Sequence, residues 1–92
     1  MAEVVWTREA LSSLDLISAY RRRSNPAAAD RVIKRLLAAG DSLDHFPNRG
    51  RHAARGAREL PVVPPYIIEY RVEGDRVFIR RIRHGRQRSL EE

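Results

Sequence analysis

Tyr66-Ile67-Ile68-Glu69-Tyr70-Arg71-Val72-Glu73-Gly74-Asp75-Arg76-Val77-Phe78-Ile79 is the stretch that decides the fold of this chain. Tyr66, Ile68, Tyr70 and Val72 share one face of an extended backbone, and Ile67, Glu69 and Arg71 the other. That period of two marks a strand with one buried face. Gly74-Asp75 separates it from a second β-prone run, Arg76 to Arg83, and glycine at the first central position predicts a type II′ hairpin turn. Arg80 and Arg81 break the alternation of the second run, where a bulge would redirect them. Upstream, Arg58 to Val63 reads as a third strand, ended by Pro64 and Pro65, which have no N–H to give a ladder. The sheet thus occupies residues 58–83.

Working outward, Val4, Val5 and Trp6 make residues 1–6 a short strand, followed by Thr7 as helix N-cap with Glu9 in the first turn. Leu11, Leu14, Ile17 and Tyr20 recur at intervals of three, which predicts an amphipathic helix over 8–23 closed by Arg21, Arg22 and Arg23. Asn25-Pro26 caps and starts a second helix, 25–45, with Ala28, Ala29, Val32, Leu36, Ala39, Leu43 and Phe46 along one face. The tight Asn-Pro junction predicts an antiparallel helical hairpin. Gly40 inside the second helix costs about 1 kcal/mol relative to alanine, which points to close packing or an early fray. Residues 51–56 show neither period and read as a basic loop. The polar tail 85–92 has no visible partner and is expected to fray. Trp6, Leu11, Leu14, Val32, Leu36, Leu43, Tyr70 and Val72 are the expected core.

The element order β-α-α-β-β-β excludes a repeating βαβ design. It predicts an α+β domain in which an antiparallel helical hairpin packs on one face of a small, mostly antiparallel sheet. The 92 residues suit a single domain, and the absence of cysteine excludes a disulfide scaffold, a thiolate zinc site and a catalytic thiol. No apolar run is long enough to span a bilayer and no basic leader opens the chain, so the cytoplasm is the expected compartment, with no membrane association. No metal or other cofactor is expected.

Charge is distributed unevenly. The net charge is +6, from 18 Lys+Arg against 12 Asp+Glu, and Lys34 is the only lysine. Residues 1–46 carry seven cations and six anions, whereas residues 47–92 carry eleven and six. From Arg76 to Arg88 there are six arginines and no acid, and from Arg49 to Arg58 four more with none. Guanidinium forks suit carboxylates and phosphates, so an acidic protein or a nucleic acid is the expected partner class.

Several phrases together are similar to the RelE/ParE superfamily of bacterial toxins: Trp6-Thr7 with Ala10-Leu11 and Asp15-Leu16, Asn25-Pro26 with Ala28-Ala29, and Phe46-Pro47 with Gly50-Arg51. The pattern continues through Gly56, Arg58-Glu59-Leu60, Pro65-Tyr66, Tyr70-Arg71-Val72, Val77, Ile79 and Arg83-His84-Gly85. The resemblance implies the toxin of a type II toxin–antitoxin pair, neutralised by a cognate antitoxin that also carries the operator DNA contact. Two mechanisms share that scaffold. RelE-like members cut mRNA on the ribosome, and ParE-like members poison DNA gyrase through protein contact.

For RNA cleavage the candidates are His84 as acid or base, Arg58, Arg71, Arg81 and Arg83 to hold phosphate, and Tyr66 or Tyr70 to stack a base. The ribonuclease branch usually carries an arginine where this chain has Ile67, and a tyrosine in the tail, where this chain has none after Gly85. The Asn-Pro-x-Ala-Ala helix start and the Arg-His-Gly-Arg tail resemble the ParE branch more closely. On that reading the surface that meets gyrase or the antitoxin is the open sheet face and basic C-terminal segment, with Arg58, Arg71, Arg80, Arg81, Arg83, His84 and Arg86 as candidates. A bare nucleic-acid-binding module is the third reading. It has the charge but no recognition helix and no aromatic reader motif.

Overall fold

The chain runs β1 (Glu3–Trp6), α1 (Arg8–Arg22), α2 (Pro26–Asp41), β2 (Arg51–His52), β3 (Arg58–Val63), β4 (Tyr66–Glu73) and β5 (Arg76–His84) in a computed structural model that describes residues 1–87. The five strands form one sheet in the order β1-β5-β4-β3-β2. β1 lies parallel to β5 and every other pair is antiparallel, so the sheet is mixed. The helical hairpin covers one face and, among the described residues, the other carries no helix, as the element order predicts.

The deciding hairpin forms as its pattern requires. Glu73 pairs with Arg76 across Gly74-Asp75, and Gly74 has φ +62° while Asp75 is not left-handed, the φ pattern of a type II′ turn. Tyr70 and Ile68 on β4, Leu60 on β3 and Val77 and Ile79 on β5 are fully or almost fully buried beneath Ala10, Leu14, Leu36 and Leu43. Between Glu69 and Tyr70 the register on β5 slips by one residue, because Glu69 faces Arg81 while Tyr70 faces Ile79. Arg80 is the extra residue, so the adjacent arginines do sit at a bulge. A second irregularity in β3, between Leu60 and Val63, accommodates Pro61.

Both helix starts follow from their caps. The Thr7 hydroxyl accepts the Ala10 N–H at 3.2 Å and donates to the Ile79 carbonyl at 2.7 Å, joining the α1 start to β5. Asn25 Oδ1 accepts the Ala28 N–H at 3.0 Å, with Pro26 in the first turn of α2. α2 ends at Asp41, and a 3-10 turn, Ser42–Asp44, follows where the sequence suggests helix to residue 45. The Ser42 hydroxyl bonds the Ala39 carbonyl at 2.6 Å, the local competition that tightens a last turn.

Three expectations are corrected. Leu11 is 47% exposed, not core, and Tyr20 and Phe46 also face out. A spacing of three residues drifts about 60° around a helix at each step, so the ends of such a stripe leave the buried face that Ala10 and Leu14 define. Residues 51–56 are not simply a loop. Arg51 and His52 pair with Glu59 and Arg58, and Ala54–Gly56 forms a short turn through two left-handed residues, Arg55 (φ +57°) and Gly56 (φ +78°). Two residues carry no readable period, and this strand is defined only by its pairing with β3. The chain after β5 does not fray at once: Gly85 N–H bonds the Pro65 carbonyl at 2.8 Å and Gln87 N–H the His84 carbonyl at 2.9 Å. The rest of the expected polar tail, 88–92, lies outside the described residues.

Gly40 marks close packing. A Cβ there would lie 2.3 Å from Trp6 Cζ2 and 2.8 Å from Ile79 Cδ1, and Trp6 is pinned by its indole N–H to Asp41 Oδ1 at 3.1 Å. Gly40→Ala is therefore expected to destabilise by about 1–3 kcal/mol net, despite the helix-propensity gain of about 1 kcal/mol. Thermal unfolding followed by Trp6 fluorescence checks this, and an unchanged or raised midpoint refutes it.

Candidate interaction surface

The face of the sheet without helices is built around two carboxylates. Glu59 of β3 and Glu69 of β4 are direct cross-strand partners, and Arg81 and Arg51 stand opposite them on β5 and β2. Arg51 Nη2 lies 3.2 Å from Glu59 Oε1, and Arg83 Nη2 lies 2.8 Å from Glu59 Oε2. Arg81 Nε reaches Glu69 Oε1 at 3.1 Å. Arg83 Nε is 3.4 Å from the same Glu69 oxygen, near enough for ion pairing but not aligned as a hydrogen bond. Like charges directly opposite are unfavourable by themselves, and the guanidinium groups around them reverse that sign. Burial alone raises the Glu59 pKa, but the hydrogen bonds and charges of Arg83 and then Arg51 outweigh it and hold the carboxyl below its ordinary 4.5.

The seven candidate residues are not gathered into one cluster. Arg71, Arg81 and Arg83 belong to the face without helices with Glu69, and that face is not open as expected, since Ile67, Glu59, Glu69 and Arg83 on it are buried. Arg81 and Arg83 are paired as above, and Arg71 Nη1 donates to the Arg55 carbonyl at 2.6 Å. Arg58 stands opposite Tyr70 and donates to the Asn48 and Gly50 carbonyls at 3.2 and 2.8 Å, with His52 Nε2 at 3.4 Å. His84 stands opposite Tyr66, whose ring it meets edge-on at 6.1 Å, and its Nδ1 accepts the Arg86 N–H at 3.1 Å. Arg80 occupies the bulge, and Arg86 is exposed in the turn that follows β5. Tyr70 is fully buried, with its hydroxyl accepting the Gly50 N–H and donating to the Pro47 carbonyl, both at 2.8 Å, so it offers no ring to a base.

A second feature has no counterpart in the sequence reading. β1 pairs with β5 only as far as Ile79, and beyond it a groove of about 350 Å³ opens between α1 and the last residues of β5. Leu16, Ile17 and Tyr20 of α1 line it together with Tyr66, Arg81, Ile82, His84 and Gln87. Leu16 and Tyr20 are 72% and 69% exposed, an apolar surface without a partner among the described residues. The rim is cationic: Arg21 lies over the Tyr66 ring at 5.7 Å and contacts its hydroxyl at 3.4 Å. The spacing of three places Tyr20 on the apolar stripe of α1, and nothing in that stripe marks a groove. Sequence reasoning also passed over Glu59 and Glu69, although they are the only carboxylates between Asp44 and Glu73 in an arginine-rich region, which is the signal that could have found them.

Two helices on one face of a mixed five-stranded sheet are the fold that the resemblance to small bacterial toxins implies. Residues 4–89 match the model of the ParE toxin of type II toxin–antitoxin systems (parDE), and the chain belongs to that family. Toxin RelE2 of Caulobacter vibrioides is 51% identical over 85 residues, covering 92% of this chain and 97% of that protein. A putative toxin of Sinorhizobium fredii, Y4kP, is 42% identical over 84 residues, covering 89% and 86%. A chain of the chromosomal ParDE system of P. aeruginosa superposes with a TM-score of 0.82 at 26% identity, covering 91% of this chain and 96% of that one. Family membership implies an antitoxin as partner. No helix among the described residues is long and apolar enough to cross a membrane.

Proposed function

We propose that this toxin arrests growth by inhibiting DNA gyrase through protein contact, in the manner implied by its resemblance to the ParE branch, and that its antitoxin neutralises it by covering the α1/β5 groove. The observation that carries this reading is the state of the arginines. Arg58, Arg71, Arg81 and Arg83 each already donate to a carbonyl or carboxylate of the protein itself. Arg81 and Arg83, whose charges are already answered by Glu69 and Glu59, have the least to offer the developing charge of a phosphorane. Ile67 adds support: it is buried directly across from Arg83, where an arginine would put two like charges side by side. The groove has the complementary character, apolar inside with a cationic rim, which suits an acidic amphipathic segment. The toxin acts in the cytoplasm on this reading, and operator DNA is reached only through the antitoxin.

Ribosome-dependent mRNA cleavage is kept as the second reading because curated relatives carry the RelE name. Purified toxin titrated into gyrase supercoiling and into mRNA cleavage on programmed ribosomes, with antitoxin rescue in each, separates the two. Inhibited supercoiling with intact mRNA is expected. Reproducible cuts in ribosome-bound mRNA with normal supercoiling would overturn the proposal and make His84 the first residue to mutate.

A further inference from the structure

We infer that Arg83, held by Glu59, is a positioning residue for the groove: it fixes Gln87, part of the groove wall, without meeting the partner. This rests on the reading of the groove as the antitoxin-binding surface. The Arg83 side chain is 8% exposed on the sheet face away from the helices and is not among the groove's lining residues. Its planar fork nevertheless holds two groups at once. Nη2 donates to Glu59 Oε2 at 2.8 Å, and Nη1 donates to the Gln87 carbonyl at 2.7 Å.

Gln87 has good reason to be held there. The Gly85 to Pro65 hydrogen bond sets the ladder so that the Arg83 backbone faces β4 and the His84 backbone faces away from it. Gln87 satisfies that outer side twice, its N–H bonding the His84 carbonyl at 2.9 Å and its Oε1 accepting the His84 N–H at 2.8 Å. Arg51 steadies Glu59 from the far side, so a relay from β2 through β3 and β5 ends at the wall of the groove. A lysine in place of Arg83 keeps the charge, but one nitrogen cannot span both partners as the fork does.

The test is a double-mutant cycle on the full-length toxin, titrated calorimetrically with the purified antitoxin encoded by the adjacent reading frame. Arg83→Lys and Gln87→Ala are each expected to weaken binding about ten-fold, the scale of one charge-assisted or one well-placed hydrogen bond. The double variant is expected to lose about ten-fold in total, not about a hundred-fold, because a released turn cannot be released twice. Amide exchange of Gly85 and Gln87 should quicken in Arg83→Lys while Ile68 and Ile79 stay protected. Additive losses, or wild-type binding by Arg83→Lys, overturn the inference. If Arg83→Lys does not fold, Glu59→Gln takes its place in the cycle. Leu16→Asp, exposed within the groove, is the arm that tests the underlying reading. Undiminished binding by Leu16→Asp sinks the groove reading and the inference with it, whereas weakened Leu16→Asp beside intact Arg83→Lys sinks the positioning role alone.

Discussion

Glu59→Ala is expected to cost about 3–5 kcal/mol of folding stability, because it leaves Arg83 charged, buried and short of its best partner. For a domain of this size the whole stability is about 5–14 kcal/mol, so thermal unfolding should move down by on the order of 20 °C. The size of the effect comes from desolvation and not from the worth of the ion pair. Arg83 and Glu59 are both nearly sequestered from water, and their mutual attraction largely offsets what it costs to bury them. Replacing both by apolar residues of similar volume is accordingly expected to cost far less than the single change. Arg22 and Asp30, an exposed pair between the helices, give the contrast: Asp30→Ala should change stability by less than about 1 kcal/mol. Urea unfolding of the three variants checks the order, and a mild Glu59→Ala would mean that water reaches Arg83.

The same site makes stability depend on pH with a defined sign. The Glu59 carboxyl is held below its ordinary 4.5 in the folded chain, so the folded state binds fewer protons there than the unfolded chain. Its stabilising contribution is present in full above the unfolded value and is lost as pH falls through the folded one. Acid titration of the unfolding midpoint should show a loss below about pH 4.5 that Glu59→Gln flattens.

What was legible in the sequence, and what was not, divides along physical lines. Alternation in Tyr66 to Val72, the Gly74-Asp75 turn and the Thr7 and Asn25 caps are local signals, and each produced its element. Even the bulge at Arg80 was visible as a break in period. The parallel pairing of β1 with β5 was not, because its register links residues more than seventy apart and leaves no local trace. β2 is two residues long and exists through Arg51 and Glu59. Charge clustering on the sequence led to the idea of an open basic face. The folded chain places Glu59 and Glu69 among those arginines, and only strand register brings them there. The groove depends on where β1 stops and on the outward drift of Leu16 and Tyr20 around α1, both tertiary facts.

Tyr70 carries the second large effect, and its two substitutions separate packing from hydrogen bonding. The ring is fully buried at the centre of the core, and Tyr70→Ala is expected to cost about 3–5 kcal/mol, enough to leave little folded protein. Tyr70→Phe keeps the ring and removes one oxygen that serves two backbone groups, the Gly50 N–H and the Pro47 carbonyl. Burial pushes the phenol above its ordinary 10.0, against the opposing pull of the Gly50 hydrogen bond and the Arg58 and Arg49 charges, so at neutral pH it retains the proton it donates to Pro47. The hydroxyl is tightly packed on the Gly50 side, where even a methyl group on Gly50 would lie 2.7 Å from it. Tyr70→Phe should therefore cost about 1–3 kcal/mol, the range for leaving a buried donor unpaired. The loss should be local first: exchange of the Gly50 amide should quicken well before that of Ile68. Because the Pro47–Gly50 segment leads directly into Arg51, the outer support of Glu59, Tyr70→Phe should also add to the acid sensitivity described above. A variant with wild-type stability, slow Gly50 exchange and an unchanged acid limb would show that the loop is held by Arg58 through the Asn48 and Gly50 carbonyls, and that the hydroxyl is dispensable.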